Sequence, residues 1–363
     1  MVKPLPPIAH AATIERALRN NAHVVYSLSG GKDSSAAAFA TNAYLDEIGH
    51  PQSRRHAIHA DLGDIEWPST APFVEDVADH LRVPLHVVRR KAGGLIDRWR
   101  QRWVSSVDRY VGLETYQLVS PFSSAQLRFC TSETKVAPIG SHLKATFSGE
   151  TIVSIVGIRR EESANRAKAP VFKMDTRFAP SGNRAGTQML TWHPILQWTA
   201  QEVFEAHAQI GFPLHEAYHM GATRLSCSYC VLASLHNLVT SAKAPGNHQS
   251  YRDIVDIEIA SSFSFQASRW LADVASELLL PEQTTLIAAA KTVATERRQA
   301  EGSLPPGLRF CRGWPPRIPA MDEARTIAAV RGRLLEALNL PNKYPVANDV
   351  RDRFAELHSR RAA

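Results

Sequence analysis

The chain has 363 residues, 44% of them hydrophobic, a formal charge of +7 and four cysteines. That length supports substantial apolar cores and two domains, while so few cysteines exclude a disulfide framework. No apolar run reaches the roughly 20 residues of a membrane span and the start, MVKPLPPIAHAA, has no apolar signal region; a cytoplasmic protein without a membrane partner is expected, its positive excess facing an anion such as nucleotide or nucleic acid.

In chain order, residues 24–28 read as a buried strand and 34–45, rich in alanine, as a helix. Between them stands Ser29-Gly30-Gly31-Lys32-Asp33-Ser34. A strand, a glycine turn and a helix start make an anion site: backbone N–H groups of Gly30, Gly31 and the first helical turn hold phosphate oxygens, and Ser27, Ser29, Ser34 and Lys32 add donors. Asp33 in that company calls for Mg²⁺ or backbone donors to compensate its charge. It is not a Walker A loop, because Tyr26 occupies the first glycine position and Asp33 follows Lys32. Further strands are expected at 57–61, 84–88 and 151–156, alternating with helices at 71–81 and 95–110; this alternation predicts a doubly wound parallel α/β sheet with ligands at the strand C-termini. Asp61, at one such end, suits Mg²⁺, a ribose hydroxyl or simply a turn.

Beyond residue 198 the strand signal fades. Thr199-Ala200-Gln201-Glu202 is a capping box for a helix over 200–210, and further helices are expected at 237–242, 254–280, 282–300, 321–338 and 348–359. Segments 165–188, which is basic, and 304–319, rich in proline, read as irregular, each either a loop over a site or a connector. The domains predicted are 1–198, carrying the phosphate turn, and a helical region 199–363. Cys227-Ser228-Tyr229-Cys230 is joined by single Cys130 and Cys311; four thiolates complete a site for Zn²⁺ or an iron–sulfur cluster, the alternative being buried inert thiols. His193, with His215 and His219 four apart, could approach a site or be surface or packing residues, while Trp192, Trp198 and Phe204 fit core packing better than base stacking.

The turn resembles the SGGxDS PP-loop of the ATP pyrophosphatase superfamily, whose members cleave ATP between the α and β phosphates. Asp61 to Thr70 resembles the D-x-G-x-E-x-P-x-T element of the phosphoadenosine phosphosulfate (PAPS) reductase family, with one extra residue before Glu66. Gly157-Ile158-Arg159-Arg160-Glu161-Glu162-Ser163-Ala164-Asn165-Arg166 is similar to its G-x-R-x-x-E-S-x-x-R element, and Pro194-Ile195 with Trp198-Thr199 to its P-I-x-x-W-T segment. Arg159 and Arg166 then offer planar donors to phosphate or sulfate, Glu162 orients one of them, and Arg160 and Glu161 are bystanders.

Arg128-x-Cys130 with Lys135, and Gly221-x-x-Arg224-x-x-Cys227-x-x-Cys230, are similar to elements of the DndC-like DNA phosphorothioation members, which carry a four-iron cluster. That resemblance implies ATP, Mg²⁺ and a [4Fe–4S] cluster on Cys130, Cys227, Cys230 and Cys311, with Zn²⁺ second. Arg128, Arg224 and Arg312 suit a negative cluster. It also implies a nucleic-acid acceptor, a cysteine desulfurase or other sulfur donor, ATP contact at Gly157, substrate or phosphate contact by Arg128, Lys135 and Arg224, and catalysis by Lys32, Asp33, Ser34 and Arg159. The alternatives are a PAPS reductase, although Phe310-Cys311-Arg312-Gly313 lacks that group's C-terminal Glu-Cys-Gly-Leu-His; the ATP sulfurylase small subunit, where the cysteines have no task; and an ATP-sensing scaffold with a structural metal.

Overall fold

A computed structural model describes residues 5–311 and 314–362. Its main elements are α1 (Ala12–Arg19), β1 (His23–Leu28), α2 (Lys32–Glu47), β2 (Arg55–Asp61), α3 (Thr70–His80), β3 (Leu85–Arg89), α4 (Leu95–Val111), α5 (Ala137–Thr146), β4 (Thr151–Ile155), β5 (Phe172–Met174), β6 (Gln188–Trp192), α6 (Ala200–Ile210), α7 (Leu235–Ala242), α8 (His248–Ser261), α9 (Pro281–Gly302), α10 (Met321–Ala337) and α11 (Ala347–Ala362). Two compact units divide them: one runs to Leu95 and resumes over Gln126–Ser250, the other takes Ile96–Ala125 and the chain from Tyr251.

The first unit is built on a six-stranded sheet in the order β3-β2-β1-β4-β6-β5. All pairs are parallel except β5 with β6. The order reverses between β1 and β4, so the crevice beyond their C-terminal ends is the topological switch point where such sheets bind ligands. Both faces are covered, as a parallel sheet requires. On one face Ala36, Ala37, Ala38 and Phe39 of α2 pack with Val24, Tyr26, Val153, Phe73 and Trp192. Three consecutive buried alanines let α2 lie close over β1. On the other face Leu143 and Phe147 cover Val25, Ile58, Ile152 and Met189.

The sheet has two strands more than the four expected. β5 falls inside the basic segment expected to be irregular, and β6 begins at its end. The sequence MLTW in β6 is buried, while β5 is a three-residue edge strand exposed at Lys173 and Met174, too short for an alternating pattern to register. The capping box at Thr199 is present: its Oγ1 accepts from the Glu202 N–H at 3.1 Å.

The second unit is helical, built around Tyr110, Leu308, Ile327, Leu334 and Phe354. Fully buried Arg331 lies over the Tyr110 ring, 4.6 Å from its centroid. The single helix expected over 254–280 is corrected: α8 stops at Ser261 and the remainder is irregular, with two short 3₁₀ turns. Ser262 adopts φ 53°, and the fully buried Glu258 carboxylate takes the N–H groups of Phe265 at 2.7 Å, Leu271 at 2.8 Å and Ala272 at 3.0 Å. A side chain that satisfies three loop amides replaces the helical ladder. Among the described residues no helix is long and apolar enough to cross a membrane.

Candidate functional site

β1 ends at Leu28 and α2 begins at Lys32, leaving Ser29, Gly30 and Gly31 as the turn at the switch point. Gly30 has φ 75°, a left-handed conformation that disfavours a side chain; a Cβ there would also press on Leu225 and Thr70 at 3.1 and 3.2 Å. Ser34 closes the turn, its Oγ–H donating to the Gly31 carbonyl at 2.8 Å while the Ser29 N–H reaches the same Oγ at 3.2 Å. Ser35 donates to the carbonyls of Gly31 and Lys32 at 3.3 and 3.2 Å. His207 of α6 donates from Nε2 to the Lys32 carbonyl at 2.9 Å, so α6 is tied to the first turn of α2.

β4 delivers the opposite wall. A Cβ on Gly157 would lie 2.2 Å from the Asp33 carbonyl oxygen, so only glycine allows this segment to lie against the start of α2. That contact brings Arg159 onto Asp33: Nε donates to Oδ1 at 2.6 Å, and the Lys32 ammonium takes Oδ2 at 2.9 Å. All three side chains are largely buried. Burial pushes the Asp33 carboxyl up, but Lys32 and Arg159 together outweigh it and hold the group below its usual range. Asp33 is therefore compensated by two cations in the protein itself. Removing one partner of such a set leaves a buried charge at a cost of about 3–5 kcal/mol. Glu161, expected to be a bystander, pairs with Arg159 and accepts from the Ala200 N–H at 2.6 Å. Glu162 accepts from the Arg159 N–H at 2.8 Å and pairs with Arg166.

Above the turn, the Lys32 ammonium lies 5.4 and 5.9 Å from the ring centroids of Phe204 and Tyr218. Phe204 is 40% exposed, so it is part of this site's surface and not of the core. Trp192 and Trp198 are core residues, donating to the carbonyls of Ala9 and Pro7 at 2.7 and 2.9 Å. His215 caps a short turn of helix, Glu216–His219, its Nδ1 accepting from Ala217 N–H at 3.2 Å; it is buried, while His219 is exposed.

Beyond β2 and β3 opens a cavity of about 530 Å³, lined by His59, Asp61, Glu66, Trp67, Val74 and Arg89 among others. That volume lies within the range of small-molecule sites. Asp61 accepts from the Gly63 N–H at 2.7 Å and lies 3.5 Å from Arg89, so it shapes the turn as well as the cavity wall. His59, which the sequence did not single out, contacts the Leu28 carbonyl through Nδ1 at 3.0 Å and Glu66 through Nε2 at 3.1 Å. Burial works against its charge, but the hydrogen bond and negative charge of Glu66 prevail and raise its pKa.

Cys130 sits on a short helix, Phe129–Thr131, followed by a π-turn, Ser132–Val136, that carries Lys135. Wide turns of this kind recur at functional sites. Burial pushes the Cys227 thiol up to about 12; the Lys135 cation opposes this, and Cys230, Glu66 and Cys130 reinforce it. Three thiols thus share one electrostatic neighbourhood in the first unit. Among the described residues, however, no three His, Cys, Asp or Glu side chains stand ready to hold a metal. Cys311 is exposed and belongs to the second unit, and Arg312 lies outside the described residues. Arg128 precedes the Cys130 helix, its carbonyl accepting from Thr131 N–H at 3.0 Å, and Arg224 is exposed. Ser27 faces Ser154 across β1 and β4, with 3.2 Å between hydroxyl oxygens.

A six-stranded, parallel-dominated sheet covered by helices on both faces, with a glycine turn at its switch point, defines a doubly wound α/β protein. Within that class the chain belongs to the phosphoadenosine phosphosulfate reductase domain family, which it matches over residues 23–233. It is 28% identical over 114 residues to an uncharacterized 37.8 kDa protein of Escherichia phage 186, covering 31% of this chain and 32% of that one. It is 25% identical over 157 residues to the phosphoadenosine 5'-phosphosulfate reductase of Serratia proteamaculans, covering 43% of this chain and 52% of that one. Each match thus spans less than two thirds of the curated relative. Among solved structures, the phosphate complex of a PAPS reductase from Candida auris is 17% identical, with a TM-score of 0.37, over 59% of this chain and 85% of that one.

Proposed function

We propose that the chain is an ATP pyrophosphatase that adenylates an acceptor for sulfur transfer, the acceptor being a nucleic-acid backbone as in the phosphorothioation members it resembles. The observation that carries this reading is the turn at the β1/β4 switch point, where the start of α2 meets Lys32, Asp33 and Arg159. Backbone amides and Lys32 suit the β and γ phosphates, Arg159 suits negative charge growing at the α phosphate, and Asp33 holds the two cations in place. In the reaction an acceptor oxygen attacks the α-phosphorus, the bond to the bridging oxygen of the β phosphate breaks, and pyrophosphate departs. The terminal sulfur of a donor persulfide then displaces AMP, and a second thiol of the donor system cleaves the resulting S–S bond, leaving the sulfur on the acceptor and a disulfide on the donor side. Mg²⁺ bound with ATP would neutralise the leaving phosphates. The chain's contribution is to position groups and stabilise charge, with no protein nucleophile required.

Pyrophosphate release from ATP labelled in the γ phosphate tests the reading. Lys32→Ala is expected to lower that release at least 100-fold, and wild-type protein releasing none with any acceptor nucleic acid would reject it. A second reading, PAPS reduction, is favoured by the family and by the Serratia relative. Sulfite formed from PAPS and a dithiol reductant, without ATP, would select it.

The shared neighbourhood of Cys130, Cys227 and Cys230 supports an iron–sulfur cluster held by these three residues within the first unit. Such a group supplies electron transfer or sulfur handling when bound. Anaerobically purified protein is expected to contain iron and acid-labile sulfide in equal amounts near four per chain; stoichiometric zinc without sulfide would replace the cluster by a structural metal.

A further inference from the structure

The hydroxyl of Tyr218 lies over the phosphate turn. The Lys32 N–H donates to it at 3.1 Å and the Leu225 N–H at 3.3 Å, so two main-chain amides converge on one oxygen. A Cβ built on Gly31 would stand 3.7 Å from that oxygen, which places it against the floor of the turn. The Lys32 amide, at the start of α2, is a donor of the kind that grips a phosphate oxygen at such a turn. The Tyr218 oxygen therefore occupies a ligand's position. We propose that Tyr218 is an exchangeable occupant of the turn, holding the Lys32 amide in the unliganded chain and giving it up to a phosphate oxygen when nucleotide binds. The proposal rests on the reading that this turn binds nucleotide phosphate.

Three further features fit an exchange. Burial pushes the Tyr218 hydroxyl up to about 12, so the occupant is a neutral oxygen, and a neutral acceptor holds an N–H less strongly than a phosphate anion does. Tyr218 rides on the four-residue helical turn Glu216–His219, which lies between Gly211 at φ 73° and Gly221 at φ 98°; neither glycine has a neighbour where a Cβ would stand. The ring also lies beside the Lys32 ammonium, in an edge-on contact with Phe204 at 6.0 Å. When Tyr218 withdraws, the face of Lys32 it covers opens to the incoming phosphate. Apparent affinity is then reduced by the fraction of chains in which the turn is occupied.

Tyr218→Phe removes the oxygen and keeps the ring over Lys32. Titration calorimetry with MgATP and with inorganic pyrophosphate is expected to show the variant binding about 3- to 10-fold more tightly, the worth of one ordinary hydrogen bond. Without ligand, amide hydrogen exchange over residues 29–35 should be faster in the variant, and at saturation the two proteins should match. In wild-type protein carrying 3-fluorotyrosine, the resonance missing from the variant should shift when MgATP is added. If wild type binds nucleotide and Tyr218→Phe binds it equally or less well, the exchange is overturned and the nucleotide reading stands. If neither protein binds ATP or pyrophosphate, both fall together.

Discussion

Gly157 illustrates how a residue without a side chain can decide the chemistry of a site. Its α-carbon lies so close to the backbone of Asp33 and Ser34 that a Cβ would come within 2.2 Å of one oxygen and 2.8 Å of one nitrogen. Backbone cannot swing aside as a flexible side chain can, so Gly157→Ala must move β4's exit away from α2. Arg159, two residues on, would lose its 2.6 Å bond to Asp33. We expect this variant to lose about 1–3 kcal/mol of stability by urea denaturation and to bind MgATP at least 10-fold more weakly; unchanged binding would mean that Arg159 and Asp33 do not act together on the ligand. The turn residues and Arg159 were legible in the sequence because local spacing encodes them. Tyr218 was not, since 186 residues separate it from the amide it covers. The meeting of His59 with Glu66 was hidden for another reason: one residue ends a strand pattern and the other belongs to a motif, and nothing in the spacing says that they face each other.

At the scale of elements, β1, β2, β3 and α5 each contribute one histidine to a row across the sheet: His23, His56, His86 and His142, with ring centroids 5.2, 5.5 and 5.0 Å apart in succession. Arg54 can only donate, so at 2.7 Å it makes His23 Nε2 an acceptor. His23 must then donate from Nδ1 to His56 Nε2 at 3.1 Å. That leaves the proton of His56 on Nδ1, which is buried with no partner among the described residues. The row is built for neutral rings. Burial, with His23, His86 and Arg54 nearby, lowers His56 to about 4, and burial first of all lowers His23 and His86. Below the usual value of 6.5 the unfolded chain takes up protons that the folded chain refuses, so the contribution of this row is complete above pH 6.5 and is lost as pH falls toward 4. Unfolding free energies from urea titrations are expected to drop over that window by about 1–2 kcal/mol, with partial exposure of the rings keeping the figure small, and His56→Phe should flatten the dependence. The same strands were legible from their apolar runs. What the runs could not show was the end of α8, because Glu258 looks like any helical glutamate until its carboxylate is seen to hold three amides of the following loop.

For the whole molecule, the +7 charge states only that an anion is attractive, and how the charges are placed gives that statement content. Much of the arginine in the first unit is already engaged: Arg159 with Asp33, Arg166 with Glu162, Arg177 with Asp175 at 2.7 Å. Lys168, Lys173 and Arg184, by contrast, are exposed on the stretch around β5 and have no carboxylate within 4 Å among the described ion pairs. If the acceptor is a nucleic acid, these three are cations placed to displace counterions from its phosphates. Each phosphate so neutralised contributes about −0.9 to the slope of log K against log salt on duplex DNA. Three contribute about −2.7, which over a fourfold rise in salt, from 50 to 200 mM, amounts to roughly 40-fold in affinity. Fluorescence anisotropy with a labelled duplex is expected to show at least that loss for wild type, and a slope shallower by about 2–3 when all three are changed to glutamine. The effect should be the same for unrelated sequences, since phosphate contacts carry no base information. A triple variant with an unaltered slope would move the nucleic acid off this stretch; wild-type binding that ignores salt would leave the positive charge of the chain without a polyanionic partner and point to a small acceptor instead.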